Sequence, residues 1–578
     1  MEFISIKLKK NFVDYLKILF LTLFSFFICY HYGFNGIVPL DDFVSYNCGY
    51  RILSGDIPFK DYYSVTGFFL CLIQSIFYKF FGTNWSSLVL HASVFNSLIC
   101  LIFYYFLNRL KISNSFALFS CVSISILSYP NNGVPGADHH SWILSICSFM
   151  FFYLSLKEKN KIFAIISTFL LFFAFLVKQV PSTYFLILIF FLYIIYSIKD
   201  KKFHFFKELS LSILACFFLL LLYLKINSIN FNDFFEQYIF LSLNLGSSRF
   251  ENINLKFFLE KISSIYFVIF LIAPLFVNFY YYLLVKNKIK EEYFIINFII
   301  IFSLILIGLI YEIHTNNSAI SFMLLPLIVV FIFKIQKQIG QVRFLKYIYF
   351  ILIFITWLKI FQFNYYISLI NIIFIFILCF ISYFKKINFL SNQNLLIIYL
   401  IFSTFYYFQT SVDARKYKDL NSDYKIFSFD GSRIDKKFAN VRWSTSYRLV
   451  EKKEIESFKF KINLLKNLDE KFIIITDYQI FNSILKINDY SPVKYWHTGV
   501  SYPAKHSKYR IKFENFFKEK LIKNNVNYII IDNNTSVFTE KIDDYEFLSK
   551  CSKIINQENT YNIKLLKLSR MCLESFSN

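Results

Sequence analysis

Apolar residues fall in long blocks separated by short polar turns. The blocks lie near 18–33, 66–81, 87–107, 112–129, 142–156, 162–177, 181–198, 208–227, 263–284, 293–311, 319–333, 347–361, 366–384 and 394–411. Most run for roughly 16–22 residues, the length a helix needs to cross about 30 Å of hydrocarbon. The pattern predicts a polytopic α-helical membrane protein. After residue 411 the pattern changes to short β-rich runs, Phe472–Asp477 and Asn527–Asp532, each ending in an Asp and separated by Lys-rich helical stretches. Alternation of this kind predicts a small soluble α/β domain. The expected division is a membrane domain over 1–411 and a tail over 412–578.

Block 66–81 decides the threading. If it crosses, the basic turns alternate wrongly between the two sides. If it lies along the membrane surface, one side collects Arg109/Lys111, Lys157/Lys159/Lys161, Lys199/Lys201/Lys202, Lys286/Lys288/Lys290, Lys334/Lys337/Arg343 and Lys385/Lys386. Cytoplasmic loops carry such an excess of Lys and Arg, and block 66–81 is short and holds Gln74 and Lys79. This choice gives about thirteen spans. It puts 34–86, 130–141, the turn at Lys178, 228–262, 312–318 and the tail on the extracytoplasmic side of a cytoplasmic membrane. The N-terminal stretch, with Lys7, Lys9, Lys10 and Lys17 before an apolar run and no small-residue cleavage site after it, reads as a retained signal anchor.

The net charge of +23 follows these turns, so the composition does not call for a nucleic-acid partner. Ten cysteines show no zinc spacing. Most sit in apolar blocks, while Cys551 and Cys572 are placed to pair if the tail lies outside the cytoplasm.

Polar groups with chemical potential gather on the extracytoplasmic face. Asp41 and Asp42 follow the first span, and a carboxylate there either serves as a general base or metal ligand or is a solvated loop acid. Asp138 precedes another span, as a helix cap or a second site carboxylate, in an Asp-His-His run whose adjacent histidines are poorly placed to share one ion. Lys178, Arg249 and His314 are the sparse groups on that face able to meet a phosphate.

The stretch from Asp41-Asp42 through Arg51-Ile52-Leu53-Ser54-Gly55-Asp56-Ile57-Pro58-Phe59-Lys60-Asp61 resembles polyprenyl-phosphate-sugar-dependent glycosyltransferases of the GT-C fold. The branch it is similar to is the bacterial one related to protein O-mannosyltransferases and lipid A aminoarabinose transferases. Segment 66–81 looks like that family's juxtamembrane helix and Asp138 its second acidic position, whereas Val65-Thr66-Gly67 stands where a Pro-Pro is usual. The resemblance implies Asp41 as catalytic base, with Asp42 and Asp138 in support. It implies Lys178, Arg249 and His314 at the donor phosphate, and Arg51, Asp61 and Lys79 on the acceptor loop. It leaves a divalent cation (Mg or Mn) open, with Asp42 and Asp138 as its ligands. The implied partners are a polyprenyl-phosphate sugar donor, membrane lipids, and a glycan, lipid or protein acceptor of the cell envelope. Two other readings use the same topology. One is a lipid-linked polysaccharide polymerase or ligase, which would rely on outer-loop arginines that are scarce here. The other is a lipid-linked-sugar transporter, which would favour broken helices and mid-span charges.

Overall fold

The computed structural model describes residues 2–245, most of 397–445, 451–532 and most of 538–576. The expected spans between 263 and 384, and candidates Arg249 and His314, lie outside these residues. Among the described residues, nine helices are central to the membrane part: α1 (Glu2–Gly33), α2 (Asp41–Leu53), α3 (Phe69–Phe81), α4 (Trp85–Arg109), α5 (Asn114–Leu127), α6 (Ala137–Glu158), α7 (Lys161–Val177), α8 (Gln179–Asp200) and α9 (Phe206–Ile226). Four stretches, Phe12–Gly33, Trp85–Arg109, Gln179–Ile198 and Phe206–Ile226, are long and apolar enough to cross a membrane.

Contacts between helix ends define the threading. The Trp85 indole N–H donates to Gly33 O at 2.9 Å, so α1 finishes where α4 starts. At the same end the Tyr129 hydroxyl after α5 meets His140 of α6 at 2.6 Å, Ser141 of α6 donates to Lys178 O after α7 at 3.0 Å, and Lys60 donates to Asn227 O after α9 at 3.2 Å. At the opposite end Lys157 donates to Arg109 O at 2.9 Å and Arg109 pairs with Glu158 at 3.0 Å. The seven long helices therefore alternate in direction, and the basic turns at 109–111, 157–161 and 199–202 share the far end.

Segment 34–84 leaves and returns at one end. Its two helices have 13 residues each, about 20 Å at 1.5 Å per residue, too short for the hydrocarbon layer. α3 buries Leu70, Cys71, Gln74, Ser75 and Tyr78 toward α2, α4 and α7, with a Cys48–Cys71 disulfide joining it to α2, and exposes Ile76, Lys79, Phe80 and Phe81. That division suits a helix lying at a membrane surface.

The tail carries a four-stranded sheet in the order β4 (Phe472–Ile475), β5 (Tyr528–Asp532), β7 (Ile563–Leu568), β6 (Ser552–Glu558). The first pair is parallel, joined through helix Arg510–Lys523, and the other pairs are antiparallel. A Cys551–Cys572 disulfide closes its C-terminal end. A second sheet ties the tail to the membrane part: β1 (Asn35–Ile37) runs parallel to β3 (Arg442–Thr445), which pairs with β2 (Phe429–Asp430).

The docking is specific and buried. Arg51, 1% exposed, donates to Ser491 O and Val493 O, both at 3.0 Å, pairs with Asp56 at 2.8 Å, and stacks over Tyr62. Asn47 donates to Asp489 at 2.8 Å, and Lys520 pairs with Asp61 at 3.1 Å.

This threading predicts the outcome of impermeant thiol labelling on single substitutions at exposed positions. Lys79→Cys and Lys505→Cys should react from one side of the membrane and Lys201→Cys from the other. Reaction of position 79 from the same side as position 201 would overturn it.

Candidate functional site

Four chain segments meet at the end where the tail docks. The first is the N-terminus of α2. Leu40 has φ +70°, uncommon for a non-glycine residue, and its N–H is fixed to Asp477 O of the tail at 2.8 Å. Asp41 follows and is exposed. Asp42 turns inward. At 1% exposure it accepts from Val38 N–H at 2.9 Å and from Lys418 Nζ at 3.0 Å. Lys418 also donates to Gly36 O at 2.8 Å, and burial lowers its pKa to about 8 against the opposing pull of Asp42. Three residues earlier, Arg415 donates to Pro130 O and Asn132 O at 2.7 and 2.9 Å, so segment 415–418 staples the loops after α1 and α5.

The second segment is the start of α6. Asp138 pairs with Lys178 at 2.5 Å, with side chains 25% and 30% exposed. Of the two histidines that follow, His139 packs its ring against Tyr129 and Tyr417, and His140 enters a hydrogen-bonded chain. The Tyr129 hydroxyl meets His140 Nδ1 at 2.6 Å, His140 Nε2 meets His91 Nε2 at 3.0 Å, and His91 Nδ1 meets Gln74 Oε1 at 2.8 Å. The Gln74 carbonyl only accepts. His91 therefore donates from Nδ1, His140 donates from Nε2, and Tyr129 donates to His140. This chain ties α3, α4, α5 and α6 together.

The third segment is the break between α7 and α8. Lys178 is extended, at φ −160° and ψ 137°, and its carbonyl accepts from Ser141 and Ser182 at 3.0 and 2.8 Å. Gln179 turns its amide to Val65 O at 2.9 Å and Ser242 Oγ at 3.0 Å.

The fourth segment is loop 64–67. Gly67 N–H donates to Val177 O at 3.1 Å, and a Cβ on Gly67 would sit 1.8 Å from Leu176 O. Only glycine permits this approach. Onto the same loop the tail lowers Lys494, 3% exposed, whose Nζ donates to Thr66 Oγ1 at 2.9 Å and Gly67 O at 3.3 Å. Burial, and then repulsion from Lys178, lower its pKa to about 7.

The fold thus brings Asp41, Asp42, Asp138 and Lys178 to one end, with Asp42 turned into the interior and Asp138 facing Lys178. Arg51 and Asp61 lie in the docking contacts, and Lys79 lies exposed on α3. Among the described residues no three His, Cys, Asp or Glu side chains gather as a metal cluster. A cation bound by Asp42 or Asp138 would have to displace a lysine. Lys494 and Lys418 were not singled out from sequence, and Gly67 was noted only as standing where a Pro-Pro is usual. The one available signal was a lysine inside an otherwise apolar run, Pro492-Val493-Lys494-Tyr495-Trp496.

No known protein family and no curated protein matches the chain. Among solved structures, the Archaeoglobus fulgidus oligosaccharyltransferase crystallised with zinc and sulfate is similar at 13% identity and a TM-score of 0.41, covering 89% of this chain and 68% of that one. ArnT from Cupriavidus metallidurans in the apo state is similar at 10% identity and a TM-score of 0.38, covering 98% and 99%. Likeness of this degree carries no argument about activity.

Two outcomes follow from the packing. Asp42→Asn, which strands a buried ammonium, should destabilise the protein by about 3–5 kcal/mol, and adding Lys418→Met should recover most of that loss. Denaturation of wild type and the two variants in detergent measures both. Gly67→Ala should cost about 3 kcal/mol or more, because backbone and not a side-chain tip stands in the way; a melting temperature equal to wild type would show that the loop is not seated on α7.

Proposed function

We propose that this chain is an integral membrane glycosyltransferase. In this reading it moves a sugar from a polyprenyl-phosphate carrier to a hydroxyl acceptor on the extracytoplasmic face. The observation that carries it is the Asp138–Lys178 pair, partly exposed at the α7–α8 break, at the same end of the bundle as exposed Asp41. A lipid phosphate is already a good leaving group. The site must then supply a base and positive charge to meet the departing phosphate. Asp41 takes the proton from the acceptor hydroxyl as its oxygen attacks the anomeric carbon, and Lys178 and Arg249 receive the phosphate. Attack from the side opposite the leaving group inverts the anomeric centre. Asp138 orients Lys178, and Asp42, paired with Lys418, holds the start of α2.

The extracytoplasmic orientation draws support from two features. The basic turns collect at the far end, as cytoplasmic turns do. Both disulfides lie on the near end, where an oxidising compartment would keep them. The sheet-bearing tail over 412–578 sits on that same side in this reading and roofs the site.

Purified protein with a labelled polyprenyl-phosphate sugar tests the assignment. Asp41→Asn should lower the release of polyprenyl phosphate by about 10²–10⁴-fold with an unchanged melting temperature, since Asp41 is exposed. Turnover like wild type would remove Asp41 from the role of base.

A further inference from the structure

Lys494 is out of place by the ordinary rules of burial. Its ammonium is held in the interior with two hydrogen bonds, to Thr66 Oγ1 and Gly67 O, out of the three it can donate. Among the described residues no carboxylate lies within ion-pair distance of it, whereas the other buried lysines, Lys418, Lys461 and Lys520, each have an aspartate. The charged group acting on it most is another cation, Lys178. Asp138 pairs with Lys178, so whenever Lys494 is protonated the three groups carry a surplus of one positive charge. Burying such a surplus is costly unless an anion completes it.

The surroundings indicate what kind of anion. The surplus sits at the mouth of a helix break, beside a main chain fastened by Ser141, Ser182 and Gly67. On the membrane side of the break, α8 exposes Leu186, Ile187, Phe190 and Phe191, a surface for an apolar chain.

We infer that Lys494 is the second cation of a subsite for the phosphate of a lipid-borne substrate, contributed to the membrane part by the tail. This rests on the transferase reading and adds to it a task for the tail. The tail supplies a ligand, and its docking through Arg51 and Asp489 sets the position of that ligand. The cost of holding Lys494 without its anion is borne by the empty protein and relieved on binding.

That difference separates a ligand-binding lysine from a structural one. The test uses full-length Lys494→Met and wild type in detergent, with polyprenyl monophosphate, uncharged polyprenol and inorganic phosphate as probes. The variant should bind polyprenyl monophosphate about ten- to a hundredfold more weakly, as expected for loss of a charge-assisted contact. It should bind polyprenol as wild type does, and without lipid it should melt at or above the wild-type temperature. Unchanged affinity for polyprenyl monophosphate overturns the inference. So does a lipid-free variant that melts well below wild type, because Lys494 would then be structural. Inorganic phosphate held as tightly as the lipid would overturn the lipid source. If the variant loses phosphate binding but wild type transfers no sugar, the subsite stands and the transferase reading falls. If wild type transfers sugar and the variant binds the lipid normally, the reverse holds.

Discussion

The hydrogen bond from the Trp85 indole to Gly33 O constrains everything built on it, because it fixes the end of the first long helix and the start of the next at one end of the bundle. The fifty or so residues between them must then stay on one side of the bundle. They do so as two short helices joined by a disulfide, and one of these, α2, presents the acidic pair at its first turn. Had α3 crossed, every later helix would have reversed direction, and Asp138 and Lys178 would face away from Asp41.

Given that constraint, the site is shaped by backbone contact more than by side-chain recruitment. Helix α7 ends because Lys178 takes an extended conformation, and that carbonyl is held by two serines from two helices. Loop 64–67 closes on the break through a glycine that no other residue could replace without moving Leu176. The charges are then distributed unevenly. Asp42 is consumed by a buried ion pair that holds loops together, Asp138 is shared with a lysine near solvent, and Lys494 has no acidic partner among the described residues. Carboxylates that look alike in the chain thus meet different fates according to which lysine the fold delivers to each.

The block pattern made the helical membrane architecture legible, because hydrocarbon thickness imposes a length on every span. That 66–81 is set apart from the long helices was legible too, through the alternation of basic turns and the presence of Gln74 and Lys79: it forms a helix of 13 residues. The inward turn of Asp42 was not. Nothing local distinguishes it from Asp41, and its partner Lys418 lies hundreds of residues away. The Cys48–Cys71 disulfide was hidden for a related reason. Cys71 sits in an apolar block and reads as a small hydrophobe until α3 is seen packed on α2. The roles of Arg51 and Lys494 depend on the docking of the tail, a long-range event with no sequence periodicity to announce it. His140, read from sequence as part of a poor metal motif, is instead spent in a hydrogen-bonded chain whose other members come from α3, α4 and the loop after α5.

The most direct test of the account is an experimental structure of the full-length protein with a polyprenyl-phosphate sugar bound. The account predicts the phosphate at the α7–α8 break within ion-pair reach of Lys178, the sugar on the side of Asp41, and the lipid running down the apolar surface of α8. A lipid phosphate bound at the opposite end of the bundle, among the basic turns at 109–111 and 157–161, would contradict it.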